Sequence, residues 1–254
     1  MIRPGAAAVM ASRRPIAWAA AVDTIEIQRV VDIEDDNWWY RQRREIIARE
    51  LRRLGRPGHA VDIGAAGGGN TRVLLDHGWR ATAIDNTETA VDLCLSQGID
   101  AYYADACFLP LPSGTYDLAL ALNVLEHIED DATATAELTR VLRPGGTALV
   151  SVPCDMKLWS THDVALGRVR RYTRQTLTDT LATAGLALDR VWSCNVMLRP
   201  LVRMNRHRMA HCEDMAHLHP ALNEGLSLLA SLERRLPLKS WPGVTLFARA
   251  HRPA

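Results

Sequence analysis

Val61-Asp62-Ile63-Gly64-Ala65-Ala66-Gly67-Gly68-Gly69-Asn70-Thr71 passes from an apolar run through a glycine-rich loop into a helical pattern, and this order predicts a strand, a tight loop and the start of a helix. Gly64 allows a tight turn, while Gly68 and Gly69 let a ligand approach the backbone closely. The first amides of the following helix face that ligand with positive partial charge. The stretch predicts a nucleotide-like ligand, but alone it fits NAD-, FAD- and S-adenosylmethionine-binding folds about equally.

Strand and helix patterns alternate strictly around this loop. The strands are predicted at His59–Ile63, Arg80–Ile84, Ala101–Ala104, Tyr116–Leu122, Thr147–Val152, Leu186–Ser193 and Val244–Ala250. The intervening helices are predicted at Asn70–Asp76, Glu88–Gln97, Asp130–Leu142 and Thr176–Ala184. Repeated strand–helix units predict an α/β fold, a Rossmann-like doubly wound sheet of seven strands whose last strand returns as an antiparallel edge.

The same pattern divides the chain into segments. They are a mobile N-terminal arm (1–22), a lid helix within 23–58, the core (59–194), a helical insertion that caps an acceptor pocket (195–243), and the final strand with its tail (244–254). In the insertion, His207 and His211 have the spacing of a zinc pair, but their surroundings match no known site and we predict no metal. The methionines of the insertion fit either a pocket wall or a packed core. Its arginines fit a contact with a membrane surface.

Three acidic residues stand where the strands of this sheet are predicted to end. Asp62 lies two residues before Gly64, and Asp85 follows the second strand. A carboxylate at the position of Asp85 can accept from both ribose hydroxyls. Asp105, with Ala106 beside it, is placed to accept from an adenine amino group.

Residues 59–152 resemble the core of class I S-adenosylmethionine-dependent methyltransferases of the small-molecule type. Beside the glycine loop and Asp85, the matching motifs are Asp105-Ala106, Leu109–Pro112, Tyr116-Asp117, Asn123-Val124-Leu125-Glu126-His127 and Leu142–Gly146. The resemblance implies S-adenosylmethionine as cofactor and assigns its binding to Tyr40, Arg43, Asp62, Gly64, Ala65, Ala66, Gly68, Asp85, Asn86, Asp105, Ala106, Asn123 and Leu125. The chain departs from the family at Ala66, where a glycine is usual, and at Arg168, where a subgroup often has histidine.

Four residues are candidates for acid–base chemistry because they follow the fourth and fifth strands. His127 is a candidate base or, alternatively, a helix-capping or packed histidine. His162 and Asp163 are a base with its orienting acid, or a solvated turn. Tyr172 lines the acceptor site or is an ordinary packed aromatic. Tyr40 is expected in the lid, and one of the neighbouring tryptophans in the core.

The numbers of charged residues and cysteines narrow the set of possible functions further. Lys+Arg is 30 against 29 Asp+Glu in 254 residues, so there is no basic surplus for a nucleic-acid partner. The five cysteines have no CxxC pair, which favours a reducing compartment and hence the cytoplasm. No apolar run is long enough for membrane insertion. The expected partner is a small-molecule acceptor methylated on oxygen or nitrogen, and a homodimer is left open.

Two other functions remain open at this level. An NAD-dependent oxidoreductase would share the loop and Asp85, but it would leave Asp62 and Asp105 unexplained. A non-catalytic methyltransferase-like binding protein is suggested by Ala66.

Overall fold

The computed structural model describes Ile27, residues 33–205 and residues 218–254. The arm predicted over 1–22 lies outside these residues, as do His207 and His211. The strands are β1 (His59–Ile63), β2 (Arg80–Asp85), β3 (Asp100–Tyr103), β4 (Tyr116–Leu122), β5 (Leu142–Pro153), β6 (Ala187–Cys194) and β7 (Thr245–His251). The helices are α1 (Trp38–Leu54), α2 (Gly69–Asp76), α3 (Glu88–Ser96), α4 (Asp131–Val141), α5 (Thr161–Ala165), α6 (Arg174–Thr183), α7 (Arg199–Asn205) and α8 (Pro220–Glu233).

The strands form one seven-stranded sheet in the order β3-β2-β1-β4-β5-β7-β6. Strand β7 is antiparallel to both of its neighbours, and the pairings among β1 to β5 are parallel. The predicted fold class is therefore confirmed, but the expectation that the last strand forms the edge is wrong, because β6 lies outside it. The backbone of β7 pairs with β5 on one side and with β6 on the other, so both of its rows of N–H and C=O groups have partners.

Strand β4 explains why both faces of the sheet are covered. Leu118, Leu120 and Leu122 pack with residues of α1 and α2, whereas Ala119 and Ala121 pack with residues of α4 and α6. Successive side chains of a strand point to opposite faces, so an uninterrupted apolar strand needs helices on both.

Helix α1 begins at Trp38 because Asn37 caps it with a side-chain oxygen that accepts from Trp39 N. It ends at Gly55, which has a left-handed backbone with φ of +81°. The sequence predicted one helix over Asp32–Leu54, and the cap at Asn37 accounts for its later start.

Helix α8 of the insertion packs on α1. Trp38 is buried with Leu198 and Ala230, as expected for one tryptophan of the pair. The side chain of Asn223 accepts from Trp38 N and donates to Asp36 O. The first turn of α1 is therefore held by α8, and the two helices form one unit.

Candidate functional site

The carboxyl edge of the sheet, where β1 to β6 end, holds the unusual backbone of this chain. In the described part of the chain, four residues other than glycine have positive φ, and they are Ala66, Asn123, Asp155 and Asn195. They follow β1, β4, β5 and β6, respectively. Left-handed backbone is unfavourable for side chains with a Cβ, and it gathers at functional sites. Open α/β sheets bind their ligands at this edge.

The glycine loop, residues 64–69, turns sharply between β1 and α2. Gly64 has φ of +72°, and a Cβ there would overlap the side chain of Val124. Gly68 has φ of +85°, and a Cβ there would lie 2.6 Å from Ile99 Cδ1. Both glycines are therefore required by the loop itself. A backbone without side chains leaves its amides free to approach a ligand.

Ala66 takes a conformation that favours glycine, with φ of +48°. Its amide donates to Asp85 Oδ2 at 2.9 Å, which ties the loop to the end of β2. Its neighbour Ala65 is buried. The left-handed backbone explains why a glycine is the expected residue here, and the chain tolerates alanine at a cost of about 1 kcal/mol.

Two of the predicted acids lie at the ends of adjacent strands. Asp85 Oδ1 accepts from the amide and the hydroxyl of Thr87, so both carboxylate oxygens of Asp85 are oriented. Asn86 beside it is exposed. Asp105 is exposed, and its Oδ1 accepts from Cys107 N next to the half-buried Ala106. Because β2 pairs with β3, these carboxylates lie at neighbouring positions of the carboxyl edge, and the part of this edge around the glycine loop is here called the crevice.

Asp62 is a buried support of the loop. It is fully buried, and its Oδ2 accepts from Thr71 Oγ1 at 2.7 Å, which joins β1 to α2. Its Oδ1 is buried without a hydrogen-bond partner. Burial raises the pKa of Asp62 to about 7, although the hydrogen bond from Thr71 and the charge of Arg43 oppose that rise.

A chain of polar contacts joins α1 to the end of β4. Arg43 Nη2 donates to Asn123 Oδ1 at 2.8 Å, and Asn123 Nδ2 donates to Glu126 Oε1 at 2.9 Å. Arg43 also lies over the ring of Tyr40, with 5.4 Å from its Cζ to the ring centroid. Glu126 is fully buried, and its Oε2 has no partner. Sequence reasoning missed Glu126 as a site residue, although its motif included it.

Glu34 is a second site residue that sequence reasoning missed. Its carboxylate lies at the start of α2, where a Cβ on Gly69 would overlap it, and it accepts from Arg72 at 2.8 Å. It is buried, and burial raises its pKa. No sequence signal placed Glu34 here, because only the tertiary fold brings the segment before α1 to α2. An acid at a helix N-terminus occupies the place of an anionic ligand group.

These groups leave the crevice rich in acid. Its acidic side chains are Glu34, Asp62, Asp85, Asp105 and Glu126. The guanidinium group of Arg43 extends from α1 toward these acids and donates a hydrogen bond to Asn123. Buried carboxylates with unpaired oxygens attract a cation. The residues present therefore fit S-adenosylmethionine, which combines a sulfonium, an ammonium, a ribose and an adenine.

His127 lies in a 3₁₀ turn, Leu125–His127, directly after β4. Leu125 is buried, while the side chain of His127 is 39% exposed. Its Nε2 lies 4.0 Å from Glu126 Oε1. Burial lowers the pKa of His127, so the imidazole is neutral at neutral pH. A neutral, accessible imidazole can accept a proton.

Asp163 has structural partners that account for its whole carboxylate. It accepts from Ser160 N at the start of α5, and from the guanidinium groups of Arg168 and Arg171. The side-chain hydrogen bonds of Arg171 and Arg168 hold the pKa of Asp163 below its usual value, against its burial. These contacts favour a capping role, and the pairing with half-buried His162 stays a prediction.

Tyr172 is buried in the core. Its hydroxyl donates to Asp131 Oδ2 and to Leu125 O. Burial, together with the contact to Asp131, raises the pKa of Tyr172. This environment favours the packed-aromatic interpretation over a role as base.

A family model described as methyltransferase domain matches residues 61–150. A Mycolicibacterium smegmatis protein named as a probable S-adenosylmethionine-dependent methyltransferase is 28% identical over 161 residues, which is 62% of either chain. This chain thus matches less than two thirds of that relative's length. The ubiquinone biosynthesis O-methyltransferase of Methylococcus capsulatus is 36% identical over 100 residues, 36% of this chain and 42% of its own.

Solved structures share the fold. A Thermotoga maritima methyltransferase, described as a possible histamine N-methyltransferase, has a TM-score of 0.61 at 15% identity and covers 92% of this chain and 99% of its own. The [4+2]-cyclase SpnF has a TM-score of 0.56 at 21% identity, with 83% and 80% covered. At these identities the likeness concerns the fold alone. Among the described residues, no helix is long and apolar enough to span a bilayer.

Proposed function

We propose, from its membership of the class I S-adenosylmethionine-dependent methyltransferases, that this chain transfers a methyl group to an oxygen or nitrogen atom of a small molecule. The observation that carries the proposal is the acid-rich crevice around the glycine loop, in which Asp85 is bonded to the loop amide of Ala66. S-adenosylmethionine, when bound, supplies a methyl group that its sulfonium has already activated.

The residues of the crevice then have distinct tasks. Asp85 is placed to hold the ribose hydroxyls, and Asp105 the adenine amino group. Arg43 is the cation available to the carboxylate of the methionine part. Tyr40, which lies against Arg43, offers an aromatic face toward the sulfonium. Alignment and exclusion of water are the main contributions that a protein makes to a displacement of this kind.

His127 is the proposed base for a hydroxyl acceptor. It follows β4, it is partly accessible, and its lowered pKa keeps it neutral at neutral pH. An amine acceptor needs no such base, because it loses its proton to water. Removal of His127 therefore separates the two acceptor classes.

The oxidoreductase alternative conflicts with the charge of the crevice. NAD places its pyrophosphate at the N-terminus of the helix after the loop. Here that end of α2 is occupied by the carboxylate of Glu34, which would repel a phosphate. A cationic cofactor meets attraction at the same place.

The test is calorimetric titration with S-adenosylhomocysteine and, separately, with NAD. We expect micromolar binding of the former and none of the latter. An Asp85→Asn variant should bind at least about tenfold more weakly, since a hydrogen bond to a charged group contributes about 1.5–3 kcal/mol. Asn still offers one oxygen to the loop amide, so the loop has a partner in the variant.

The matched control is Asp92→Asn, which removes the same charge from an exposed position on α3. It should bind like the wild type. Absence of S-adenosylhomocysteine binding in the wild type would refute the proposal, and binding without turnover of any acceptor would favour the non-catalytic alternative.

A further inference from the structure

A cavity distinct from the crevice lies between α1, the end of β6 and the segment that follows α8. Gln42, Ile46 and Arg49 line it from α1, Trp192 from β6, and Lys239 from the segment after α8. It shares Gln42 and Ile46 with a neighbouring cavity that reaches the carboxyl edge. Asn123, Asn195 and Thr245 line that neighbouring cavity. A molecule extending from the edge along α1 would enter the cavity that Arg49 and Lys239 line.

Asn195 marks the inner end of this path. It follows β6 with φ of +60°, it is 2% exposed, and its side-chain Oδ1 is buried without a partner. A buried amide oxygen without a hydrogen bond is unfavourable, so a donor group of a bound molecule would stabilise it.

The outer end of the path holds cations that are weakly paired or unpaired. Arg49 Nε is buried without a hydrogen bond, and the nearest carboxylate oxygen, Glu50 Oε1, is 3.7 Å away. Within residues 33–205 and 218–254, Lys239 has no ion pair. Arg190 adds a third cation, placed over the ring of Trp192.

The acids around this cavity have other partners. Glu50 is bonded to Arg53 at 2.8 Å and to Arg249 at 3.0 Å. Glu233, which also lines the cavity, accepts from Met197 N, and Glu45 is paired with Arg234. Lys239 therefore has no carboxylate partner in the described part of the chain, and the ion pair of Arg49 with Glu50, at 3.7 Å, is longer than those that Glu50 makes with Arg53 and Arg249.

The cations also oppose one another. Burial, followed by the charges of Arg190, Arg49 and Arg53, lowers the pKa of Lys239. Burial likewise lowers the pKa of Arg49. The charge of Glu50 opposes this effect, whereas the charges of Arg53 and Arg234 add to it. An anion in the cavity would relieve both the repulsion and the desolvation.

We infer that this cavity binds the anionic group of the methyl acceptor, a carboxylate or a phosphate, between Arg49 and Lys239. The acceptor is then an elongated molecule whose anionic end lies here and whose nucleophilic atom lies near Asn123 and Asn195. Trp192 and Ile46 suit an apolar or aromatic section of that molecule. The inference deepens the proposed function and rests on it for the identity of the bound molecule.

The chain allows a direct test because Lys157 and Lys239 are its two lysines. Lysines are acetylated with a limiting amount of acetic anhydride, and each site is quantified by peptide mass spectrometry. The probes are benzoate and phenyl phosphate, with neutral benzamide as the control. Comparison of the two anions distinguishes a carboxylate site from a phosphate site.

We expect an anion at about ten times its Kd to slow acetylation of Lys239 about tenfold, because only the free fraction reacts. Lys157, exposed and outside the cavity, should react at the same rate with and without the anion. Benzamide should protect neither lysine. Equal rates at Lys239 with and without either anion would overturn the inference, and so would equal protection by benzamide.

A variant supplies the second readout. Arg49→Gln should abolish the protection of Lys239, while Arg52→Gln, an exposed arginine on the same helix, should retain it. Retained protection in Arg49→Gln would contradict the site. S-adenosylhomocysteine titration of both variants shows whether they are folded. It also separates failure of this site from failure of the proposed function.

Discussion

Ala66 is the residue whose backbone conformation conflicts most clearly with its side chain. It has a left-handed φ of +48° within the glycine loop. Its amide must remain there because it donates to Asp85. The loop therefore keeps the geometry that a glycine would provide.

Ala66→Gly should leave the free energy of unfolding within about 0.5 kcal/mol of the wild type. Relief of the left-handed alanine, about 1 kcal/mol, offsets the greater freedom of glycine in the unfolded chain. Urea denaturation measures this difference.

Ala65→Gly is the matched control. Ala65 is buried with Val91, Cys94 and Ile99 and has no positive φ. This variant loses a packed methyl group and gains unfolded-state freedom, so it should be destabilised by about 1–2 kcal/mol. Equal losses in the two variants would contradict the account of Ala66.

The raised pKa of Asp62 predicts that the free energy of unfolding depends on pH. Its pKa is about 7 in the folded protein and 3.8 in its ordinary state. Because the folded pKa is the higher one, the folded state holds the proton between these values, and stability falls as pH rises from about 4 to 7. Asp62→Asn removes this titration.

The measurement is the difference in unfolding free energy between Asp62→Asn and the wild type across pH. The difference should grow in favour of the variant by about 2–4 kcal/mol between pH 4 and 7, then level off. A flat difference over that range would mean that the Asp62 carboxylate is not desolvated.

At the level of secondary-structure elements, caps explain three departures from the predicted helices. Because Asn37 caps α1, this helix starts later than the apolar pattern predicts. Asp130 caps α4 with a side chain that accepts from Thr133 N. Ser160 caps the start of α5, a helix that the sequence pattern did not predict, through a capping box with Asp163. A cap depends on a few atoms, whereas periodicity averages over a turn or more, so boundaries shift by a few residues.

The hydrogen bonds between α1 and α8 lead to a prediction about the stability of the first turn of α1. Asn223→Ala removes the hydrogen bonds to Trp38 N and Asp36 O, about 1 kcal/mol each. Hydrogen exchange of the first turn of α1 should become roughly tenfold faster. S-adenosylhomocysteine should bind a few-fold more weakly, because Tyr40 lies in that turn and Arg43 in the next one.

Glu224→Ala is the control for that experiment, since it removes an exposed ion pair between the same helices, Arg41 to Glu224. Such pairs contribute little, and exchange should stay near the wild-type rate. Faster exchange in both variants, or in neither, would show that Asn223 does not hold the first turn.

At the scale of the whole molecule, the net charge of +1 conceals a local excess of acid. The carboxylates of the crevice come from the segment before α1, from β1 and β2, and from the loops after β3 and β4, and their field acts on any ligand at the carboxyl edge. This distribution arises from topology, since the acids are spread over 34–126 in the chain.

We expect S-adenosylmethionine, a net cation, to bind about three- to tenfold more tightly than neutral S-adenosylhomocysteine, since each carboxylate contributes up to about 1 kcal/mol. Added salt should weaken binding of the cation more than binding of the neutral product. Calorimetry of both ligands at low and high salt measures this. Tighter binding of the product, or equal salt dependence, would contradict the electrostatic account.

Local patterns of period, turn and strand end were enough to predict the doubly wound sheet, the glycine loop, and the positions of Asp85 and Asp105 at strand ends. The remaining features follow from contacts between distant parts of the chain. The tertiary structure placed β7 between β5 and β6, Glu34 at the start of α2, Glu126 behind Asn123, and Arg49 near Lys239. These residues are far apart in the chain or carry no local signal, and burial and pairing with distant partners determine their roles.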